Sequence, residues 1–321
     1  MNPEIADRLR GIAVGAAVGD ALGMPLEFRF ASPPDNFIRT MQPGRLPAGS
    51  FTDDTEMALA LAESLLGKPG LDPNDLSQRF LDWFKRNPPD VGIHTNAVLR
   101  RIAAGVPWQE AAMNVQSKNP TSAGNGSVMR CWPVAVLNWD NLETIFFQSQ
   151  LQSRVTHPHE ECMAGCVFVN CMIYHLLHGL DVTDAYQYCL NTLELPEELR
   201  QTIMLAPRRK REELRNTGWV RHTIESALWG VLNTNTFEEA LIQVINLGED
   251  ADTAGAVAGA IAGAIYGLES IPPDWKNMLR GEWPISSGKM YYLPDFIKLA
   301  DDLAGGSNQA ARNLFLENNL I

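Results

Sequence analysis

Residues Phe51–Leu66 read FTDDTEMALALAESLL, with Thr52, Asp53, Asp54 and Thr55 crowding four oxygen-bearing side chains against the start of an apolar run. Ala58, Leu61, Ala62, Leu65 and Leu66 recur at the three- and four-residue spacings of one helix face. Part of the cluster has a local explanation. Asp53 as N-cap with Glu56 three residues on makes a capping box in all but its first letter, and acidic residues in a first turn suit the helix dipole. Only one side chain can occupy an N-cap, so two adjacent aspartates exceed what a cap requires. The surplus raises a second reading, in which the helix start also holds a cation.

A matching cluster lies far along the chain. Asn246–Gly255 reads NLGEDADTAG, so Asp250, Asp252 and Thr253 again set two carboxylates and a hydroxyl at a helix start. Hard cations such as Mg²⁺ and Mn²⁺ prefer oxygen ligands in octahedral sets. Two such clusters facing each other could hold a pair of ions roughly 3.5–4 Å apart, as two-metal hydrolytic sites do. The positive end of a helix opposes a cation by only about 0.3–1 kcal/mol, little against four carboxylates. Two independently capped helices are the alternative.

What could bring the clusters together is a pair of glycine stripes. GIAVGAAVGDALG places Gly11, Gly15, Gly19 and Gly23 at four-residue steps, and GAVAGAIAGAIYG does the same with Gly255, Gly259, Gly263 and Gly267. Each interior glycine costs about 1 kcal/mol of helix propensity relative to alanine. The compensation expected is close backbone approach, the two helices packing deep in the core on each other.

Helical periodicity dominates elsewhere, over about residues 4–23, 54–66, 74–85, 95–104, 108–117, 126–137, 142–153, 160–177, 220–232, 237–246 and 253–266. Period-2 alternation is scarce, so no sheet is expected. Breaks such as GKPGLDP, RNPPD and IPPDW are short, and no linker divides the chain. The expected architecture is a compact all-α fold, one domain over residues 1–321.

Composition excludes several classes. Of 321 residues, 45% are hydrophobic and 20% charged, as in a globular protein. A net charge of −12 argues against a broad grip on nucleic acid or an anionic membrane. The one dense basic run, PRRKREELR from Pro207, is interleaved with glutamates and reads as a solvated face or loop. Five cysteines include no Cys-x-x-Cys pair, so neither a zinc site nor a disulfide framework is expected; Cys162 and Cys166, one turn apart, read as small buried residues. MNPEIADRLRG lacks the basic-then-apolar pattern of a secretory signal, and the apolar run after Thr253 is shorter than a membrane span. The expected location is cytoplasmic.

Three further stretches suggest a ligand. SAGNGSVMR places Gly124, Asn125, Gly126 and Ser127 at a loop-to-helix junction, where free backbone N–H groups can cradle a phosphate; Asn-Gly is also a common turn. VTHPHEE reads as another helix start, with Thr156 as cap, Pro158 in the first turn and His157 beside them either packed or ligand-binding. In PPDVGIHT, Asp90 follows two prolines, where a turn-forming aspartate is the simplest reading.

Taken in order, GAAVGDALGMPLEF, FTDDTEMALALAESL, DVG, AGNGSVMRCWPVAVL, THPHEECMAG and NLGEDADTAGAVAGAIAGAIYG resemble the ADP-ribosylglycohydrolase family, its bacterial dinitrogenase-reductase-activating branch in particular. The resemblance runs from about residue 11 to 267, and its T-D-D-T and D-A-D-T pair is specific. It implies an all-α fold with a central cleft holding two Mg²⁺ or Mn²⁺ ions on Thr52, Asp53, Asp54, Asp250, Asp252 and Thr253. It further implies catalytic roles for Glu27 and Asp90, and contacts from Gly124, Asn125, Gly126, Ser127 and His157 to the diphosphate and riboses of ADP-ribose. The substrate implied is an ADP-ribosylated protein, arginine-linked by preference, with release of ADP-ribose; a catalytically silent ADP-ribose binder or crystallin-like structural protein is the alternative. Glu249 departs from the Gly-Gly-Asp of many members, and the family's adenine-stacking aromatic has no secure counterpart.

Overall fold

The computed structural model describes residues 1–67 and 70–318, with side chains through Gly306. Among the described residues the fold is all-α: α1 (Pro3–Gly23), α2 (Asp53–Gly67), α3 (Pro73–Lys85), α4 (Ile93–Ala103), α5 (Trp108–Lys118), α6 (Trp132–Leu137), α7 (Leu142–Arg154), α8 (Glu160–Leu177), α9 (Val182–Thr192), α10 (Glu197–Leu205), α11 (Val220–Leu232), α12 (Phe237–Ile245), α13 (Ala251–Tyr266), α14 (Pro273–Met278) and α15 (Leu293–Asn318). One contiguous hydrophobic core runs from Leu9 to Ala304.

At its centre α1 and α13 lie antiparallel, backbone on backbone. A methyl group added to Gly19 would sit 2.0 Å from the carbonyl oxygen of Gly255, one on Gly15 2.4 Å from that of Gly259, and one on Gly11 2.7 Å from that of Gly263. The reverse holds too: additions at Gly255, Gly259 and Gly263 would meet the oxygens of Gly19, Gly15 and Gly11 at 2.4, 2.0 and 2.1 Å. The stripes therefore compensate their propensity cost by close approach, as expected. Gly267 has another use. It ends α13 in a left-handed conformation, φ 77°, and a side chain there would collide with Asp7, whose carbonyl accepts the Leu268 N–H at 3.1 Å. Around this pair, α8, α11 and α12 pack on α13, and α2, α6 and α15 on α1. The segment Pro3–Leu26 has the length and apolarity of a membrane span, yet 94% of its apolar window is buried inside the protein. It is a core helix by placement.

Several boundaries differ from expectation. The helix expected from Gly126 begins only at Trp132, and residues 126–130 form turns in which Val128 and Met129 donate to the Asn125 carbonyl. The helix expected over 160–177 is found at Glu160–Leu177, but its cap is His159, which accepts the Glu161 N–H, and not Thr156. Helices α9, α10, α14 and α15 were not anticipated. Nor was the antiparallel pair Arg280–Glu282 and Met290–Tyr292, whose three-residue strands are too short for alternation to register. In the basic run, Arg209 pairs with the buried Glu225 at 2.8 Å and Arg211 lies over the Phe37 ring at 4.9 Å, so it is anchored rather than wholly solvated. All five cysteines are free and buried.

Gly19→Ala should destabilise the protein by about 3 kcal/mol or more, since the added carbon meets backbone that cannot yield. Gly305→Ala, within α15 and with nothing inside 4 Å of the added carbon, should instead gain up to about 1 kcal/mol. Urea unfolding of the two variants checks both signs.

Candidate active site

The register of α1 on α13 brings the last turns of α1 to the first turn of α13, where α2 also begins. Asp20, fully buried on α1, settles what caps α2. Its carboxylate accepts the Thr52 N–H at 2.9 and 3.1 Å, the Thr55 N–H at 3.1 Å, and the Thr52 and Thr55 hydroxyls at 2.9 and 2.6 Å. The expected capping box is not formed. The helix starts at Asp53, and Glu56 turns away to accept the Trp83 indole N–H at 2.8 Å. A carboxylate from another helix thus does the capping, which leaves Asp53 and Asp54 for other use. Asp54 Oδ1 is buried with no hydrogen-bond partner, while Oδ2 lies 3.1 Å from the Thr52 hydroxyl, whose one proton Asp20 also draws on.

On the facing helix, Asp252 bonds its neighbour's Thr253 N–H at 2.9 Å, and Asp250 accepts from the Asn125 amide at 2.8 Å. Thr253 lines the same cleft as Asp54 and Asp250. Two sets of oxygens result. Asp20, Asp54 and Asp252 each place one within 4.8 Å of the others, as do Glu27, Asp250 and Asp252. The two expected clusters therefore meet, with Asp252 common to both sets. The all-carboxylate donor set and the orphaned Asp54 oxygen fit a hard divalent cation. Burial, then mutual repulsion, pushes Asp53, Asp54 and Asp252 well above the ordinary carboxylate range. Asp20 rises to about 6, Glu27 to about 7 and Glu56 to about 8, each chiefly by burial.

One positive side chain enters this field. Arg45, from a loop with no sequence signal of its own, bonds Glu27 through Nη1, pairs with Asp90 at 2.6 Å, and reaches Asp252 at 3.3 Å. The two carboxylates expected to be catalytic thus share one guanidinium. Asp20 and Arg45 were absent from the sequence reading, and Glu56 entered it only as a capping residue. Asp20 had left one trace, a lone charge in a helix of small apolar residues.

A cleft of about 1130 Å³ opens over these groups, lined on its other side by Gly124, Asn125, Gly126, His94 and His157. Gly124–Gly126 is a turn rather than a helix start, its Asn125 N–H bonded to the Gly218 carbonyl at 3.1 Å. His157 is buried, with its ring 4.6 Å from that of His94. Ser127 is the exception among the expected ligand contacts. It is fully buried, does not line the cleft, and its hydroxyl lies 2.9 Å from that of Ser153. Glu249 adopts φ 52° beside Gly248 at 71°, a left-handed position that glycine fills without strain. That accounts physically for glycine at this place in many members. Its backbone is pinned by two 2.7 Å bonds to Phe28 and Arg29.

Fold and site together describe a helical protein whose cleft pairs a divalent-cation-type oxygen cluster with a glycine turn. Residues 1–312 match the ADP-ribosylglycohydrolase family model, and the chain belongs to that enzyme family. It is 33% identical over 288 residues to the ADP-ribosylarginine hydrolase Tri1 of Pseudomonas putida (strain GB-1), covering 86% of this chain and 75% of that one. It is also 33% identical over 284 residues to the ADP-ribosyl-[dinitrogen reductase] glycohydrolase of Rhodospirillum rubrum, covering 87% and 92%. A solved structure titled ADP-ribosylglycohydrolase-related protein complex superposes with a TM-score of 0.79 at 31% identity, over 95% of this chain and all of that one.

A carboxylate whose folded-state value is raised favours the fold below its unfolded value near 4, and that contribution is lost as pH rises through the folded value. For Asp20, Glu27 and Glu56 the loss spans roughly pH 4 to 8. The metal-free protein should therefore melt at a lower temperature at pH 8 than at pH 5. Added Mg²⁺ should raise the melting temperature more at pH 8, where the acids are ionised. Thermal melts at both pH values, with Mg²⁺ or EDTA, test this; Glu56→Gln should flatten the metal-free slope.

Proposed function

We propose that the protein hydrolyses the glycosidic bond between ADP-ribose and a modified protein side chain, arginine by preference, and releases ADP-ribose. The observation that carries this reading is the meeting of the two acidic helix starts beside a carboxylate pair, Glu27 and Asp90, that already shares a guanidinium. A guanidinium is the group an ADP-ribosylated arginine would present as it leaves, and the name of the Pseudomonas relative supports the same linkage.

Asp53, Asp54, Asp250 and Asp252, with the hydroxyls of Thr52 and Thr253, would hold two Mg²⁺ or Mn²⁺ ions, which when bound would supply Lewis-acid polarisation of ribose hydroxyls and water. Asp20 braces this set, since its oxygens already receive Thr52 and Thr55. Glu27 and Asp90, both at the cleft, would move a proton between water and the leaving nitrogen. Gly124, Asn125, Gly126 and His157 would seat the diphosphate and riboses. All four cluster aspartates are present with Glu27 beside them, which favours catalysis over silent binding of ADP-ribose.

Release of ADP-ribose from an arginine-ADP-ribosylated protein, assayed with Mn²⁺ and again with excess EDTA, tests the proposal. Release that EDTA abolishes is expected. No release with metal, alongside retained ADP-ribose binding, would point to the silent alternative or another linkage. Asp53→Asn and Asp252→Asn should each lower turnover at least about a hundredfold while the circular dichroism spectrum stays helical. Asp90→Asn should slow turnover yet keep Mn²⁺ affinity; lost affinity would make Asp90 a metal ligand instead.

A further inference from the structure

Arg130 is fully buried, and among the described residues no carboxylate pairs with it. Its guanidinium lies 4.3 Å from the centre of the Phe80 ring. Nε donates to Gln152 Oε1 at 3.1 Å, and Nη2 donates to the Gln152 carbonyl at 3.2 Å and to the Thr156 hydroxyl at 2.8 Å. That hydroxyl is in turn 2.8 Å from Nδ1 of His157. A buried cation without a counter-ion is costly, so what it orders is the question.

The hydroxyl has a single proton. An arginine N–H can only donate, so Thr156 Oγ1 accepts on that side. No further hydrogen bond of this hydroxyl is found among the described residues. If the imidazole also donated through Nδ1, the Thr156 proton would be buried without an acceptor. The arrangement that satisfies every group runs one way, from Arg130 to Thr156 to His157 Nδ1. The neighbouring ring obeys the same logic: His94 Nε2 lies 3.0 Å from the Thr156 carbonyl, which can only accept. The opposite edge of His157 lies against the glycine turn. A methyl group on Gly126 would be 2.8 Å from Cε1 and 3.1 Å from Nε2, and one on Gly124 would be 3.5 Å from Nε2.

We infer that Arg130 and Thr156 are positioning residues that hold His157 as the Nε2–H tautomer, so that it presents a hydrogen-bond donor beside Gly124 and Gly126 to an anionic ligand. A histidine with the other tautomer would turn a lone pair toward the same anion. Burial above all, then the neighbouring His94 and the charge of Arg130, disfavours a second proton on the ring, so the donor is neutral. The donor's use rests on the reading that the cleft takes ADP-ribose; the tautomer itself does not.

The test is a long-range ¹H–¹⁵N spectrum of the histidines in the full chain with Mg²⁺, paired with calorimetric titration of ADP-ribose and of Mg²⁺. In the wild type, His157 should carry its proton on Nε2. Thr156→Ser should keep both the spectrum and the affinity. Thr156→Val should strip Nδ1 of its donor, moving its ¹⁵N signal to that of a free imine nitrogen, and weaken ADP-ribose about tenfold, with Mg²⁺ affinity unchanged. Arg130→Met frees Thr156 to accept and should populate the Nδ1–H form, and should it fail to fold, the Thr156 pair carries the test. An Nδ1–H ring in the wild type, or a valine variant that keeps both the wild-type Nδ1 signal and affinity, overturns the inference. Wild-type protein that shows the Nε2–H ring yet binds no ADP-ribose would sink the functional reading and the donor's ligand, and leave the relay standing.

Discussion

Everything at the site depends on how closely two helix backbones approach. Where glycine faces glycine along α1 and α13, carbonyl oxygens occupy the space any β-carbon would take, and the register allows no slippage by a residue. This rigid contact carries Asp20 at one end of α1 to the first turn of α13, where Asp252 begins its helix. A looser contact, of leucine against alanine for example, would leave room for sliding and rotation. Sub-ångström placement of carboxylates on different helices needs a scaffold with little such freedom.

That placement is unfavourable in itself. Asp20, Asp54 and Asp252 are all buried, and each is pushed toward protonation by desolvation. The fold offsets part of the cost with dipoles. Two helix N-termini, of α2 and α13, point their positive ends at the cluster, and Asp20 draws two N–H groups from the first of them. Arg45 supplies a full positive charge at the rim. Eight acidic groups still outweigh one arginine: Asp20, Glu27, Asp53, Asp54, Glu56, Asp90, Asp250 and Asp252 all act on this region. The imbalance would favour a divalent cation, because ion binding would relieve repulsion that folding has already built in.

Much of this was legible in the chain. Repeated glycines at four-residue steps have one good explanation in a core helix, and two T/D clusters at helix starts pointed to one chemistry. What stayed hidden shares a feature: its meaning depends on a partner remote in sequence. The capping of α2 looked local, with Asp53 and Glu56 as the natural pair, yet the acceptor comes from Asp20, 32 residues before Thr52. Arg45 lies in a loop where no periodicity marks it. Ser127 sits in the glycine turn with its neighbours, but its side chain faces the interior, a choice made by Ser153. The helix start expected at Gly126 and the cap expected at Thr156 failed for a related reason. In both places a side chain of the turn is bound to another segment, Asn125 to Asp250 and Thr156 to Arg130.

The two sides of the cleft are consequently held by different physics. The acid side is locked by backbone packing, which is steric and tolerates almost no change in volume. The opposite side is braced by a polar network, buried throughout, in which Gln152 donates to the Ser127 carbonyl at 3.1 Å and Asn170 to the Cys131 carbonyl at 3.0 Å. Ser153 shows how tightly the protons are assigned there. It lies 2.9 Å from both the Ser127 hydroxyl and the His157 carbonyl, and since a carbonyl only accepts, Ser153 donates to it and receives from Ser127. Direction is thereby imposed on each hydroxyl in turn, ending at His157. Steric locking suits groups that must hold fixed distances around an ion. Directional hydrogen bonding suits groups that must offer a donor of one polarity to a ligand that comes and goes. Damage to the first kind of support should be all-or-none, whereas damage to the second should be graded, because a hydroxyl can be lost while the surrounding backbone stays in place.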